Sequence, residues 1–83
     1  MKITIKFFAS IRENIGIGSC AYETAALTVG QLREELIAEG GAYAESLAME
    51  RSLRMALNHI MVESDAKLND GSEIAFFPPV TGG

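Results

Sequence analysis

Apolar and polar residues alternate at the start of the chain. Apolar side chains occupy the odd positions from Met1 to Phe7, and polar side chains occupy the even positions from Lys2 to Lys6. This period of two predicts a β-strand with one buried face. Phe8 has the parity of the lysines, so we expect an aromatic side chain on the face that is otherwise solvated.

A second strand is predicted shortly after the first. The residues between the two strands that favour turns are Asn14, Gly16, Gly18 and Ser19. The short run Cys20 to Thr24 follows them. We expect this run to pair back on the first strand as a hairpin.

Thr28 begins the main predicted helix. In Thr28-Val29-Gly30-Gln31, the threonine oxygen can accept from the amide of Gln31 while the Gln31 side chain reaches back, which is the capping-box pattern. Apolar residues then recur at helical spacing, at Val29, Leu32 and Leu36. Gly40-Gly41 ends the helix, because glycine adopts the left-handed conformation at little cost.

The middle of the chain contains shorter elements. Residues 42–49 predict a second, shorter helix or a single turn of one. Residues 53–62 are apolar on both sides of Asn58-His59, so two short strands are expected around a turn at that dipeptide.

The last strand is predicted at Glu73 to Phe77. Leu68-Asn69-Asp70-Gly71 is a tight-turn sequence before it. Pro78 and Pro79 end the strand, because proline donates no hydrogen bond to a ladder. We therefore divide the chain into a domain at residues 1–77 and an extended, flexible tail at residues 78–83.

The order of the elements is β-β-α-(α)-β-(β)-β. A hairpin, a helix and further strands in a chain of this length predict an α+β fold, in which one mixed sheet packs on one main helix. This is the β-grasp arrangement of ubiquitin-like proteins. The main rival is a ferredoxin-like split, which needs a strand before each of two well-formed helices.

The tail has the sequence Pro78-Pro79-Val80-Thr81-Gly82-Gly83. Two prolines favour the extended polyproline conformation, and six extended residues span at most about 20 Å. The last two residues carry no side chain, so the tail can enter a channel where a Cβ would clash. The alternative is an ordinary frayed terminus.

The carboxylate of Gly83 needs activation before it can react. Adenylation by ATP gives it a leaving group. An amine that attacks the acyl-adenylate forms a protein conjugate, whereas a sulfur donor forms a thiocarboxylate. A thiocarboxylate is a tethered form of sulfide, and the tether raises its effective concentration in a partner's site.

Composition and charge narrow the function classes. The chain has 83 residues, of which 48% are hydrophobic and 22% charged, with a formal net charge of −4. The composition suits one small globular domain. The negative net charge argues against binding to nucleic acid and is compatible with a partner protein that is locally basic. The apolar runs are too short to span a membrane.

The single cysteine, Cys20, cannot form an intramolecular disulfide, so we expect a cytoplasmic setting and inert packing for its thiol. His59 has no nearby histidine or cysteine with which to bind a metal.

The C-terminal run decides between conjugation and sulfur transfer. The chain closely resembles the molybdopterin synthase small-subunit family from Asn69 to Gly83, and above all in the ending Phe-Phe-Pro-Pro-Val-Thr-Gly-Gly. The members of this family are ubiquitin-like sulfur carriers of the ThiS/MoaD type. Phe7-Phe8-Ala9-Ser10-Ile11-Arg12-Glu13 is similar to the family's first strand and following turn, and Thr28 to Arg33 is similar to its helix start.

The resemblance implies a carrier with no catalytic site and no bound cofactor of its own. An E1-like adenylyltransferase would use ATP to activate Gly83, and a sulfur-transfer system would convert it to a thiocarboxylate. The tail, ending in Gly82 and Gly83, would then enter the large synthase subunit and give its sulfur to cyclic pyranopterin monophosphate, forming the molybdopterin dithiolene. The family assembles as a heterotetramer of small and large subunits.

The resemblance also implies a partner-binding surface. Its residues are Phe8, Met61 and Phe77, with Pro78, Pro79, Val80 and Thr81 of the tail. Parity supports two of them, because Phe77, like Phe8, falls on the polar side of its strand, where exposed aromatics favour a partner site. Met61 rests on the resemblance alone. The alternative is that a loop or the tail covers the aromatics.

Other functions stay open. A sulfur carrier or ubiquitin-like modifier for another pathway, such as thiazole synthesis or tRNA thiolation, would be expected to have a different tail sequence. A binding module that never uses its terminus would tolerate an extra residue after Gly83. A stand-alone enzyme finds no support, since the sequence contains no nucleophile–base pair, metal cluster or phosphate loop.

Overall fold

The computed structural model describes residues 1–79, which form five strands and three helices. In chain order these are β1 (Lys2–Phe7), α1 (Ala9–Ile15), β2 (Ser19–Glu23), α2 (Val29–Ala38), α3 (Gly41–Ser46), β3 (Arg54–Leu57), β4 (Ile60–Val62) and β5 (Glu73–Phe77). Among these residues, no helix has the length and apolar character needed to cross a membrane.

The strands form one mixed sheet in the order β2-β1-β5-β3-β4. β1 runs parallel to β5 and antiparallel to β2, while β3 runs antiparallel to both β5 and β4. The predicted hairpin and the predicted β-grasp fold are therefore confirmed. The last strand lies in the centre of the sheet, and the chain continues from it directly into Pro78 and Pro79.

The core lies between the sheet and α2, as the two periodicities predict. Alternate residues of β1, together with Ile74 and Phe76 of β5, are at most 1% exposed. Val29, Leu32 and Leu36 of α2 are buried to the same extent. Burying large side chains such as these contributes roughly 1.5–3 kcal/mol each relative to exposure, so these rows hold β5 in place.

The start of α2 satisfies its own amides. Thr28 Oγ1 accepts from the amide of Gln31 at 3.1 Å, as the capping box predicts. The Gln31 side chain accepts from the amide of Leu27 at 2.9 Å, one residue before the position that the pattern specifies. The amide of Gly30 donates to Ser64 O at 2.8 Å. A Cβ at Gly30 would lie 3.0 Å from that same oxygen, so this approach needs glycine.

Helix α1 lies where the sequence predicts no helix, after the first strand and into the turn residues that begin at Asn14. It is seven residues long, has no side-chain cap at its start, and buries Ile11 against the core. Gly16 ends it with a φ of 93°. One buried position in seven gives too little periodicity to predict a helix from sequence.

The short second helix is confirmed as α3, which begins one residue earlier than predicted. A buried side chain of α2, Arg33, holds the segment after α3. Its guanidinium donates to the backbone oxygens of Leu47, Ala48 and Arg51 at 2.5–2.9 Å. Burial lowers the pKa of Arg33 from its ordinary value.

The turn between β3 and β4 is confirmed at Asn58-His59. Both residues have positive φ, 50° and 71°, as a two-residue hairpin loop requires. Asn58 also joins this turn to the start of β5, because its amide donates to Glu73 O at 2.8 Å and its Oδ1 accepts from the Glu73 amide at 2.9 Å. The hairpin and the central strand therefore hold each other in register.

Candidate functional site

The sheet face opposite the core is called the outer face here. One row on it crosses four neighbouring strands and consists of Lys6, Ala75, Ala56 and Met61. In the next row towards the end of β5, Phe77 lies opposite Arg54. Residues directly opposite in a ladder share a face, so the strand register assembles these side chains from distant parts of the chain.

Phe8 and Phe77 form an aromatic pair on the outer face. Their ring centroids lie 6.1 Å apart at an interplanar angle of 86°, which is a favoured edge-on geometry. Phe8 continues the extended course of β1 beyond its last residue, and its amide donates to Phe76 O at 3.2 Å. The structure therefore places both aromatics on the face that parity predicts.

Met61 lies on the same face, on the edge strand β4. Its exposed fraction is 51% and that of Phe8 is 45%, while Phe77 is half-buried. No loop within residues 1–79 covers Phe8 or Met61, so the alternative that a loop covers this surface is wrong for these two residues. We call Phe8, Met61 and Phe77 the apolar cluster.

A concavity of about 280 Å³ lies within the apolar cluster. Its lining consists of the three cluster residues with Lys6, Ala56, His59, Glu73 and Ala75. Ala56 and Ala75 lie directly opposite each other, and their small side chains leave the space that larger neighbours surround. The volume lies just below the range of typical small-molecule pockets, and the apolar part of the lining can receive side chains of a partner.

Charged groups balance one another beside the concavity. Glu73 Oε1 lies 3.6 Å from Lys6 Nζ, and Glu73 Oε2 lies 3.4 Å from His59 Nε2. His59 is exposed. Among residues 1–79, there is no group of three or more histidine, cysteine, aspartate or glutamate residues that could hold a metal ion.

The root of the tail adjoins the apolar cluster. Pro78 follows Phe77 directly and is half-buried, and the next residue, Pro79, is exposed. The other predicted tail residues, Val80, Thr81, Gly82 and Gly83, lie outside the described residues. The structure therefore brings together Phe8, Met61, Phe77 and the start of the tail.

Cys20 lies away from this site, on the core side of the sheet. It is half-buried, packs against the core, and lies opposite Ile5 in the β1–β2 ladder. Burial raises the pKa of its thiol, which disfavours the reactive thiolate.

The sequence analysis did not identify Ala56 and Ala75, the two alanines on the floor of the concavity. The parity of Ala75 within β5 already placed it on the same face as Phe77.

Comparison with known proteins agrees with the fold, and the sequence match includes the tail. A family model described as the ThiS family matches residues 5–83. The chain belongs to the ThiS family. Within known proteins, this ThiS-family chain is 40% identical over 81 residues to a protein of Escherichia coli (strain K12) named "Molybdopterin synthase sulfur carrier subunit". That match covers 98% of this chain and 99% of the relative.

Two solved structures resemble this ThiS-family chain over almost its whole length. One is a putative molybdopterin converting factor, subunit 1, from Pyrococcus furiosus, with a TM-score of 0.77 and 27% identity, covering 96% of this chain and 99% of that one. The other is a protein–protein complex of subunits 1 and 2 of molybdopterin-converting factor from Helicobacter pylori. Its TM-score is 0.69 at 27% identity, and both chains are covered completely.

Proposed function

We propose that this chain is the sulfur carrier subunit of a molybdopterin synthase. The observation that carries the proposal is the full-length, 40% identical relative that bears this name. The C-terminal Gly82-Gly83 of this chain lies within the segment that the family model matches. A short β-grasp domain with a Gly-Gly end suits a carrier whose reactive group is its own terminus.

The chemistry proposed for the carrier takes place at the carboxyl carbon of Gly83. The carboxylate attacks the α-phosphorus of ATP on an E1-like adenylyltransferase, and pyrophosphate leaves. A sulfur donor at the sulfide level then attacks the acyl-adenylate, AMP leaves, and a thiocarboxylate remains. The carrier contributes the reagent and its delivery, and the enzymes that it meets contribute catalysis.

Sulfur delivery then takes place on the large subunit. The thiocarboxylate sulfur attacks a carbon of cyclic pyranopterin monophosphate and displaces an oxygen substituent from it, and water then cleaves the bond between that sulfur and the Gly83 carbonyl, which restores the carboxylate. A dithiolene contains two sulfurs, so each molybdopterin consumes two charged carriers. The tail can supply this reaction because glycine has no side chain to obstruct a narrow entrance. Holding the sulfur at the end of a bound tail raises its effective concentration at the substrate. We place these steps in the cytoplasm.

The apolar cluster is the proposed docking surface for the large subunit. Phe8, Met61 and Phe77 surround a concavity that an apolar side chain can fill, and Pro78 follows Phe77 immediately. A partner that binds the root of the tail at Pro78 therefore lies beside this part of the outer face. The Helicobacter pylori complex contains a chain with the fold of this one over its full length, which supports a partner subunit for the carrier.

One experiment tests the tail mechanism directly. A carrier with one alanine appended after Gly83 should fold normally and fail in a reconstituted synthase assay, because the new terminus places a side chain at the reacting end. The matched control carries a longer C-terminal extension that a protease removes to leave Gly83 terminal, and cleavage should restore activity. Full activity of the alanine-extended carrier would refute the mechanism.

The alternative is a carrier for another sulfur pathway. It shares activation at Gly83 but predicts a different acceptor. Incubating the charged carrier with the large subunit and cyclic pyranopterin monophosphate separates the two proposals. Formation of the dithiolene supports the synthase, whereas a stable thiocarboxylate that this mixture does not consume supports the other pathway.

A further inference from the structure

Arg54 is an exposed cation at the edge of the apolar cluster. It lies directly opposite Phe77 in the β3–β5 ladder, and it is exposed. No carboxylate oxygen of residues 1–79 lies within 4.0 Å of its guanidinium. It lines a depression of about 250 Å³ that also includes Met61. Arg54 therefore adjoins two of the three residues proposed to contact the partner.

Lys6, the cation that lines the concavity, has its counterion already. Lys6 pairs with Glu73, and Glu73 also lies beside His59. A partner that covers this group removes a charge-balanced set from water. Covering Arg54 is different, because a buried charge without a counterion is strongly unfavourable.

Within the described residues 1–79, one carboxylate lines the same depression as Arg54, and it belongs to Glu63. It forms no ion pair with Arg54. Glu63 is exposed and follows the edge strand β4, so its side chain is solvated where it stands. No carboxylate of residues 1–79 therefore occupies Arg54, and a partner's carboxylate can approach it.

We infer that the large subunit places a carboxylate against Arg54 when it docks on the apolar cluster, so that Arg54 is a specificity residue for the partner. This inference rests on the proposed function. Arginine is enriched at the centres of interfaces, where its planar guanidinium binds a carboxylate through two parallel hydrogen bonds. A large subunit without an acceptor at this position would leave the guanidinium buried and unpaired, and it would be rejected for that reason.

The local charge also differs from what the whole chain indicates. The net charge of −4 suits a basic partner, yet the side chain beside Phe77 is a cation. The contact inferred here is therefore between a carrier cation and a partner anion within an otherwise acidic protein. An acidic patch on the partner would oppose approach through most other faces of the carrier and favour this one.

Calorimetric titration of the full-length carrier with the large subunit tests the inference. Arg54→Met keeps the alkyl stem and removes the charge, and it should weaken binding at least about tenfold. Arg54→Glu should weaken binding further, because it sets one carboxylate against another. Arg54→Lys keeps the charge and should bind more tightly than Arg54→Met. Arg51→Met is the matched control, since Arg51 is exposed and lines a different cleft, between α1 and α3; it should bind like wild type.

Two results would overturn the inference. Equal affinity of Arg54→Met and Arg54→Glu for the large subunit would mean that no partner carboxylate faces this position. A loss of binding in Glu63→Gln as large as that in Arg54→Met would make Glu63 the counterion. Thermal unfolding of each variant shows that it is folded before it is titrated.

Phe77→Ala separates this inference from the proposed function. If Phe77→Ala weakens binding while the Arg54 variants do not, the docking surface stands and the carboxylate contact is wrong. If Phe77→Ala also binds like wild type, or wild type does not bind the large subunit, the docking surface itself is wrong and the inference is overturned with it.

Discussion

Replacing Phe77 with alanine separates the docking role of the outer face from its role in the fold. The ring is half-buried in the free carrier and contacts Phe8 edge-on at 6.1 Å. Truncating a fully buried phenylalanine costs about 3–5 kcal/mol, and an aromatic pair contributes about 0.5–1.5 kcal/mol beyond area. For a half-buried ring we expect the free energy of unfolding to fall by about 1–2 kcal/mol, which leaves the domain folded.

The expected loss in partner binding is larger than the loss in stability. A central aromatic anchor contributes about 2 kcal/mol or more to an interface, which corresponds to about a 30-fold rise in the dissociation constant. The ring carries this energy because docking buries its remaining exposed surface and closes the concavity that it lines with Phe8.

The assay is calorimetric titration of the large subunit, with urea unfolding measured on the same samples. Leu27→Ala is the matched control, because Leu27 is 63% exposed and lies in the loop before α2, outside the concavity. It should leave the dissociation constant unchanged. A folded Phe77→Ala variant that binds as tightly as wild type would refute the assignment of the outer face as the docking surface.

Three further predictions follow from individual contacts. Ala75→Leu fills the floor of the concavity and should weaken partner binding at least about tenfold while the domain stays folded, since overpacking typically costs about 1–3 kcal/mol. Arg33→Met removes three hydrogen bonds to backbone oxygens and should lower the free energy of unfolding, measured in urea, by about 2–3 kcal/mol. Burial and the nearby carboxylate of Glu35 raise the pKa of Tyr22 from 10.0 to about 12. Between pH 10 and about 12 the unfolded state loses this proton while the folded state keeps it, so the free energy of unfolding should fall as the pH rises. The fall should be less steep in Tyr22→Phe. Equal slopes in the two proteins would contradict the assignment of this pH dependence to Tyr22.

Periodicity predicted the layers of the fold well, because burial acts on every second residue of a strand and on every third or fourth residue of a helix. The alternation of β1 and the spacing of Val29, Leu32 and Leu36 correspond to the buried rows that the structure shows. The parity of Phe8 and Phe77 placed two of the three cluster residues on the outer face for the same reason.

The features that sequence reasoning missed depend on pairing between distant strands. Opposite placement of Ala56 and Ala75 is a matter of register, and neither alanine has a pattern of its own. Register also brings Arg54 beside Phe77, although 22 intervening residues separate them in sequence. Arg33 could not be assigned for a related reason, since its three acceptors are backbone oxygens that have no sequence signature.

The central claim is that Gly83 itself becomes the sulfur-bearing group. Intact-mass spectrometry of the purified chain, after incubation with ATP, an activating enzyme and a sulfur donor, tests this claim most directly. The account predicts a mass gain equal to the difference between one sulfur and one oxygen atom, located in the C-terminal peptide and absent when ATP is omitted. An unchanged mass in the presence of an enzyme that adenylates the carrier, or a mass gain located at Cys20, would contradict it.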